Sequence, residues 1–349
     1  MSNYDQFAAA VKEISGGKNI VLLDDLGLPS VYVPINKLKN SEIISGGSEN
    51  THPAFSVNGV EKSRFLYSKY QNIVINGRAY SLSHRDPKTY VNFDQARQAC
   101  EAKGAGFHLG TLAEWAAVAL LTRKMGTMPH GNNNYGGDSA YTYEKGQESA
   151  KGNNKTGRTF TGSGPATWGH DHTQFGIQDM NGNVWEWLGG MRLNEGEIQI
   201  IPYNNAALGS ECDMSASSTL WKAIKNDGSL VAPGTAATLK YDFVSNNIQL
   251  TTGITSAQDA GRGGSYTAMT LASGVTAPEL AKALILYPDE PGKDYGGDYH
   301  WMNNAGERLP IAGGGWGHGA GAGVFSLNLT NARSNSGSTF GFRSAYVEL

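Results

Sequence analysis

Cysteine is almost missing from this chain: Cys100 and Cys212 are the only two in 349 residues. A pair so far apart can close at most one bridge, which excludes a disulfide scaffold. Charge is also sparse. Charged residues make up 17% of the chain, and 28 Lys and Arg against 31 Asp and Glu leave a formal charge of −3. That balance offers no basic footprint for nucleic acid or for an anionic membrane surface. No run approaches the roughly 20 apolar residues of a membrane span, and the opening residues, MSNYDQFAAA, lack the basic and apolar blocks of a signal peptide. Membrane insertion and export by the general secretory route are therefore not expected.

Glycine is what the chain has in excess, 46 residues, about twice the ordinary share of ~7%. Hydrophobic residues still make up 39%, enough for a large core, so the glycines imply turns and long ordered loops rather than disorder.

Residues 4–14 place Tyr4, Phe7, Ala8, Val11 and Ile14 at helical spacing, with Ser2 as N-cap and Gly16-Gly17 as the stop. Strands are expected at 19–25 and 30–35, joined by a turn at 27–29. Residues 1–53 form a small N-terminal attachment or oligomerisation element, or else an extension packed on the main domain; 54–349 form that domain. Within it, Asn76-Gly77 predicts a hairpin over 72–82. Asn92 caps a helix over 92–104, and Thr111 with Glu114 forms the capping box of another running to Gly126. Helices that cover sheets make the domain α+β. The polar segment 127–175 is too long for an ordinary loop and must be functional or strongly pinned.

The stretch FGIQDMNGNVWEWLGG (175–190) places Glu186 between Trp185 and Trp187 after a turn at Asn181–Asn183. A carboxylate flanked by tryptophans needs partners, and Arg343 and Arg333 are the candidates. Near the C-terminus, Phe325, Leu327 and Leu329 alternate with Ser326, Asn328 and Thr330, the period of a strand with one buried and one open face.

Asn-Gly-Asn-Val-Trp-Glu-Trp, the earlier HLGTLAEW (108–115), Gly-Gly-Gly-Trp (313–316) and Gly341-Phe342-Arg343 occur in an order that resembles formylglycine-generating-enzyme-type domains. That resemblance implies a C-type-lectin-like fold over 54–349: two helices packed on short antiparallel sheets with long ordered loops. Its catalytic members are oxidases that hold copper with a cysteine pair in the C-terminal stretch, where thiolates select copper(I). Residues 317–340 contain no cysteine, so no enzymatic activity is expected. A calcium ion near Asn183 and Glu186 is compatible with the family; no other cofactor or metal is expected, and His170, Asp171 and His172 are read as loop residues.

The segment 313–345 is also similar to the variable region of proteins diversified by retroelements, a family with this fold that includes phage host-recognition proteins. There, mutation at template adenines scatters Asn codons into Gly, Ser, Thr, His and others. The resemblance implies that Gly317, His318, Gly321, Ser326, Thr330, Gly337, Ser338, Thr339 and Phe340 vary and contact ligand. It leaves Asn328, Asn331 and Asn335 undecided. Trp316, Asn183, Trp185, Glu186, Trp187, Phe342 and Arg343 support the site. The function implied is binding of a protein or glycan receptor on a target cell, from a phage tail tip or a bacterial surface and with a possible homo-oligomer. The alternatives are a divergent formylglycine-generating-like enzyme and a lectin with a fixed site, although the Glu-Pro-Asn and Gln-Pro-Asp motifs of calcium lectins are missing.

Overall fold

A computed structural model describes residues 3–349; Ser2, the expected N-cap of the first helix, lies outside them. Three helices carry the argument: α1 (Asn3–Ile14), α2 (Phe93–Glu101) and α3 (Leu112–Met125). Their ends follow the local chemistry. Asn92 accepts the Gln95 amide while the Gln95 side chain returns to the Asn92 amide, and Thr111 and Glu114 do the same for α3. Gly126 ends α3 in the left-handed region at φ 70°.

The strands are β1 (Ile20–Leu23), β2 (Pro29–Asn36), β3 (Arg64–Ser68), β4 (Phe107–Leu109), β5 (Trp185–Trp187), β6 (Tyr299–Met302), β7 (Glu307–Gly313), β8 (Gly323–Asn331), β9 (Phe340–Phe342) and β10 (Ser344–Tyr346). One sheet has the order β1-β2-β3-β10-β4, so strands from both ends of the chain lie in it. The division expected at residue 53 therefore falls inside one continuous sheet. Tyr32 to Asn36 on β2 pair with Ser68 to Arg64 on β3, and residues 20–36 belong to the main body.

The larger sheet contains β6-β8-β7, with β5 paired to β7 and to β9. Beyond β7 it continues through strands at Met191–Asn194, Glu197–Ile200, Lys240–Val244 and Asn247–Thr251. The last two fall in the region 221–260, in which the sequence showed no legible motif. Between the two sheets lies α3, buried along most of its length, and the Trp115 indole donates to the Val324 carbonyl of β8 at 2.7 Å. Phe325, Leu327 and Leu329 join this core. The other face of the large sheet packs a second core containing Trp185, Trp187, Ile311, Phe342 and residues of α2. The architecture is the α+β, C-type-lectin-like one expected. Among the described residues no helix is long and apolar enough to cross a membrane.

Candidate ligand-binding surface

The surface is founded on a buried ion pair. Arg343 and Glu186 are both fully buried, and the guanidinium meets both carboxylate oxygens, from Nε to Oε2 and from Nη2 to Oε1. Its remaining donors reach the carbonyls of Ser68 at 3.1 Å and Gln178 at 3.0 Å. Gln71 donates to Glu186 Oε1 at 3.0 Å. Arg333, the other candidate partner, pairs instead with Glu307 and Asp94. Asn183, at φ 61°, accepts at Oδ1 from Asn132 Nδ2 and the Thr159 amide and donates to Gln71 and the Thr159 carbonyl. These partners pin the long 127–175 segment to the turn. They do not fit calcium: Glu186 is neutralised by Arg343, and Asn183 Oδ1 is surrounded by donors.

Asp179 lies next to this pair. It is buried, Oδ2 accepts the Gly162 amide at 2.8 Å, and Oδ1 has no partner among the described residues. Burial pushes its carboxyl up to about 6, against the pull of Arg343.

Above this base, strand register aligns one row of side chains. Trp301 pairs with Asn328, Asn328 with Ile311, Ile311 with Trp187 and Trp187 with Phe342, so all five project to the same face. Trp301 is half-buried, as are Asn328, Thr330 and Phe340. Phe340 meets Trp187 edge to face at 5.8 Å.

Two loops rise from this face. In the first, between β7 and β8, Gly317 and His318 are exposed and Gly321 is half-buried. The His318 ring stands edge-on to Trp185 at 5.0 Å and to Trp301 at 5.9 Å. These tryptophans desolvate its inner edge and hold the imidazole below its ordinary value. Nδ1 accepts the Gly315 amide at 3.2 Å, which leaves the ring hydrogen on Nε2. In the second loop, between β8 and β9, Gly337, Ser338 and Thr339 are half-buried.

Backbone groups hold both loops in place. Trp316 donates its amide to Asn183 and accepts from Tyr135, and Gly319 donates to Asn133. The carbonyls of Gly337, Ser338 and Thr339 accept from Tyr90, Arg158 and Trp185 respectively. Trp316 is only 8% exposed, and Gly152 packs so closely on its indole that a Cβ there would lie 2.9 Å from Nε1.

The glycines divide into two kinds. Gly313 and Gly314 are buried at φ 92° and 86°, and a Cβ on Gly314 would lie 2.3 Å from the Cβ of Ala322. Gly317, Gly321 and Gly337 have no positive φ. Their added Cβ atoms would first meet Tyr135 Oη at 3.3 Å, Tyr299 Cβ at 3.4 Å and a Phe340 ring carbon at 3.9 Å. These are van der Waals separations, slightly tight at Gly317.

The structure brings Gly317, His318, Gly321, Thr339 and Phe340 together above Trp185, Trp187 and Trp301. It does not place Ser326 with them. Ser326 is fully buried and donates to the Tyr299 carbonyl of the neighbouring β6 at 3.3 Å, so this part of the face expected to be open is closed. Thr330 lies four residues further along β8, half-buried, with its hydroxyl on Asn328 Oδ1 at 2.7 Å. Sequence reasoning missed Tyr135, Tyr299 and Trp301. The shared Tyr-Gly-Gly-Asp of 135–138 and 295–298 was the available signal, since the Asp138 and Asp298 carboxylates accept backbone amides beside the first loop.

The remaining candidates for chemistry are dispersed. His170 is buried and accepts the Ile177 amide, His172 bonds to the Met128 carbonyl, and Asp171 pairs with Lys18. Cys100 and Cys212 are free and buried; burial pushes the Cys212 thiol up to about 11 and raises that of Cys100. Neither is poised as a thiolate.

No curated protein matches the chain by sequence. Among solved structures, Treponema denticola variable protein 1 is similar at 13% identity, covering 94% of this chain and 98% of that one, with a TM-score of 0.34. PvdO from Pseudomonas aeruginosa is similar at 13% identity over 93% and 97% of the two chains, with a TM-score of 0.35. A major tropism determinant, the U1 variant, is similar at 10% identity over 90% and 62%, with a TM-score of 0.31. Residues 35–269 match the model of the sulfatase-modifying factor enzyme 1-like domain. This span holds 108–115 and the Trp-Glu-Trp strand and ends before the glycine-rich loops. More than half of the chain lies within the match, and the protein belongs to the sulfatase-modifying factor enzyme 1-like family.

Proposed function

We propose that this is a non-enzymatic ligand-binding protein whose C-terminal surface, within 317–340, is diversified by retroelement mutagenesis. The observation that carries the reading is the division among the glycines. Gly313 and Gly314 have a backbone and surroundings that refuse a side chain, whereas Gly317, Gly321 and Gly337 have neither constraint. Loops held by their own carbonyls and amides keep their shape while side chains change, the division of labour found in antibody loops. The half-buried Trp301 and Tyr299 and the exposed His318 supply an amphipathic floor of the kind that anchors protein and glycan contacts.

The partner in this reading is a protein or glycan receptor on a target cell, met from a phage tail tip or a bacterial surface. A homo-oligomer would multiply individually weak sites. The test is in the surrounding DNA. A near-identical copy of the codons for 317–340, differing from them only at template adenines and accompanied by a reverse-transcriptase gene, is the expected finding. A copy with differences spread over all four bases, or no copy, refutes the diversification.

A further inference from the structure

Helix α1 has an apolar stripe but buries none of its residues. It stands over the body across an open cleft of about 390 Å³, which Phe7, Val11 and Ile14 line from the helix side. Leu82 and Phe175 form the opposite wall. That volume falls within the ~300–1,000 Å³ of small-molecule sites.

The cleft also contains positive charge without its complement. Lys69 lines it and is only 6% exposed. Its ammonium donates to Asn19 Oδ1 at 2.8 Å and stands 5.3 Å and 5.7 Å from the rings of Tyr70 and Phe175. Among the described residues it enters no salt bridge; Asp171, the carboxylate nearest in effect, is held by Lys18 at 3.1 Å and by Thr173. A buried ammonium with one neutral acceptor is costly, and burial draws Lys69 down to about 8. Arg85 lines the same cleft, and among the described residues its guanidinium has no ion pair. The lining contains no Asp or Glu.

We propose that the cleft between α1 and the body binds a small apolar carboxylate, with its hydrocarbon against the α1 stripe and its carboxylate turned to Lys69 and Arg85. A single anionic head supplies the charge that Lys69 lacks, and the tail covers the apolar residues that α1 leaves open. This site uses none of the residues of the C-terminal surface and does not depend on the function proposed for it.

Octanoate titrated calorimetrically into the full chain tests the proposal, with octan-1-ol and octylamine as probes of the same length. Saturable octanoate binding is expected, at least tenfold tighter than either comparison compound. At pH 8.5 binding should take up protons, because an adjacent carboxylate favours the charged Lys69. Lys69→Met retains the apolar volume and should weaken octanoate at least tenfold while leaving octan-1-ol unchanged; the exposed Arg85→Ala should weaken it by a smaller factor. Equal affinity for acid and alcohol in the unaltered protein, or no saturable octanoate binding, overturns the proposal. So does octanoate affinity unchanged in a folded Lys69→Met. The acid-to-alcohol ratio decides even if that variant does not fold.

Discussion

Replacing Arg343 with Met should remove more stability than any single change in the loops it supports. The guanidinium is fully buried, pairs with both Glu186 oxygens and donates to the carbonyls of Ser68 and Gln178. Breaking a buried pair by removing one partner costs about 3–5 kcal/mol, and two carbonyls left without donors add about 1 kcal/mol each. The expected loss is thus about 5–7 kcal/mol. For 349 residues the unfolding entropy near 60 °C is about 0.7 kcal/mol/K, so Tm should fall by about 7–10 °C. Combining Arg343→Met with Glu186→Gln removes the stranded charge and leaves mainly the two carbonyls, about 2 kcal/mol or roughly 3 °C. Differential scanning calorimetry of the three proteins reads all of this. A single-variant shift below about 2 °C, or a double variant no more stable than the single, would refute the reasoning.

Three further outcomes follow from buried groups. Asp179, raised by burial to about 6 with Oδ1 unpartnered, binds a proton in the native state at a pH where the unfolded chain has released it. It therefore opposes folding above pH 6, and Asp179→Asn, which suits its φ of 61°, should add about 3 kcal/mol at pH 8 and nothing near pH 4. His52 and His170 are held down to about 4 and His300 to about 3 by burial. The unfolded chain takes up their protons first, so stability should fall as pH drops from 6.5 toward 4, by about 1.4 kcal/mol per pH unit for each histidine; a flat Tm from pH 6.5 to 4.5 contradicts this. Ser326→Tyr should overpack a closed site and cost at least about 2 kcal/mol, whereas Thr330→Tyr should stay within about 0.5 kcal/mol, measured as denaturant midpoints.

What could be read in the sequence was set by short-range chemistry. The Thr111–Glu114 box, the Asn92 cap and the Asn76-Gly77 turn act within a few residues and formed as expected. The Glu186–Arg343 pair joins residues 157 positions apart and was still legible as one of two candidates, because a carboxylate between two tryptophans demands a cation. What escaped depends on which distant strands meet. The alternation in 325–330 identified the two faces of β8 correctly, yet the pattern could not show that Ser326, beside β6, would be buried on the face that Asn328 and Thr330 leave partly open. Trp301 and Tyr299 entered the surface through the same parallel pairing, and the N-terminal strands joined the five-stranded sheet through β3, a partner no local pattern names.

The central claim is that the C-terminal loops keep their shape while their side chains are free to change, and one saturation experiment measures it. Every position from 313 to 343 would be substituted in the full chain, and the folded fraction scored by resistance to proteolysis. The account predicts near-complete tolerance at Gly317, His318, Gly321, Gly337, Ser338 and Thr339, and rejection of nearly all replacements at Gly313, Gly314, Phe342 and Arg343. If Gly317 and Gly321 tolerate no more than Gly313 and Gly314 do, the surface is not built for variation and the account is wrong.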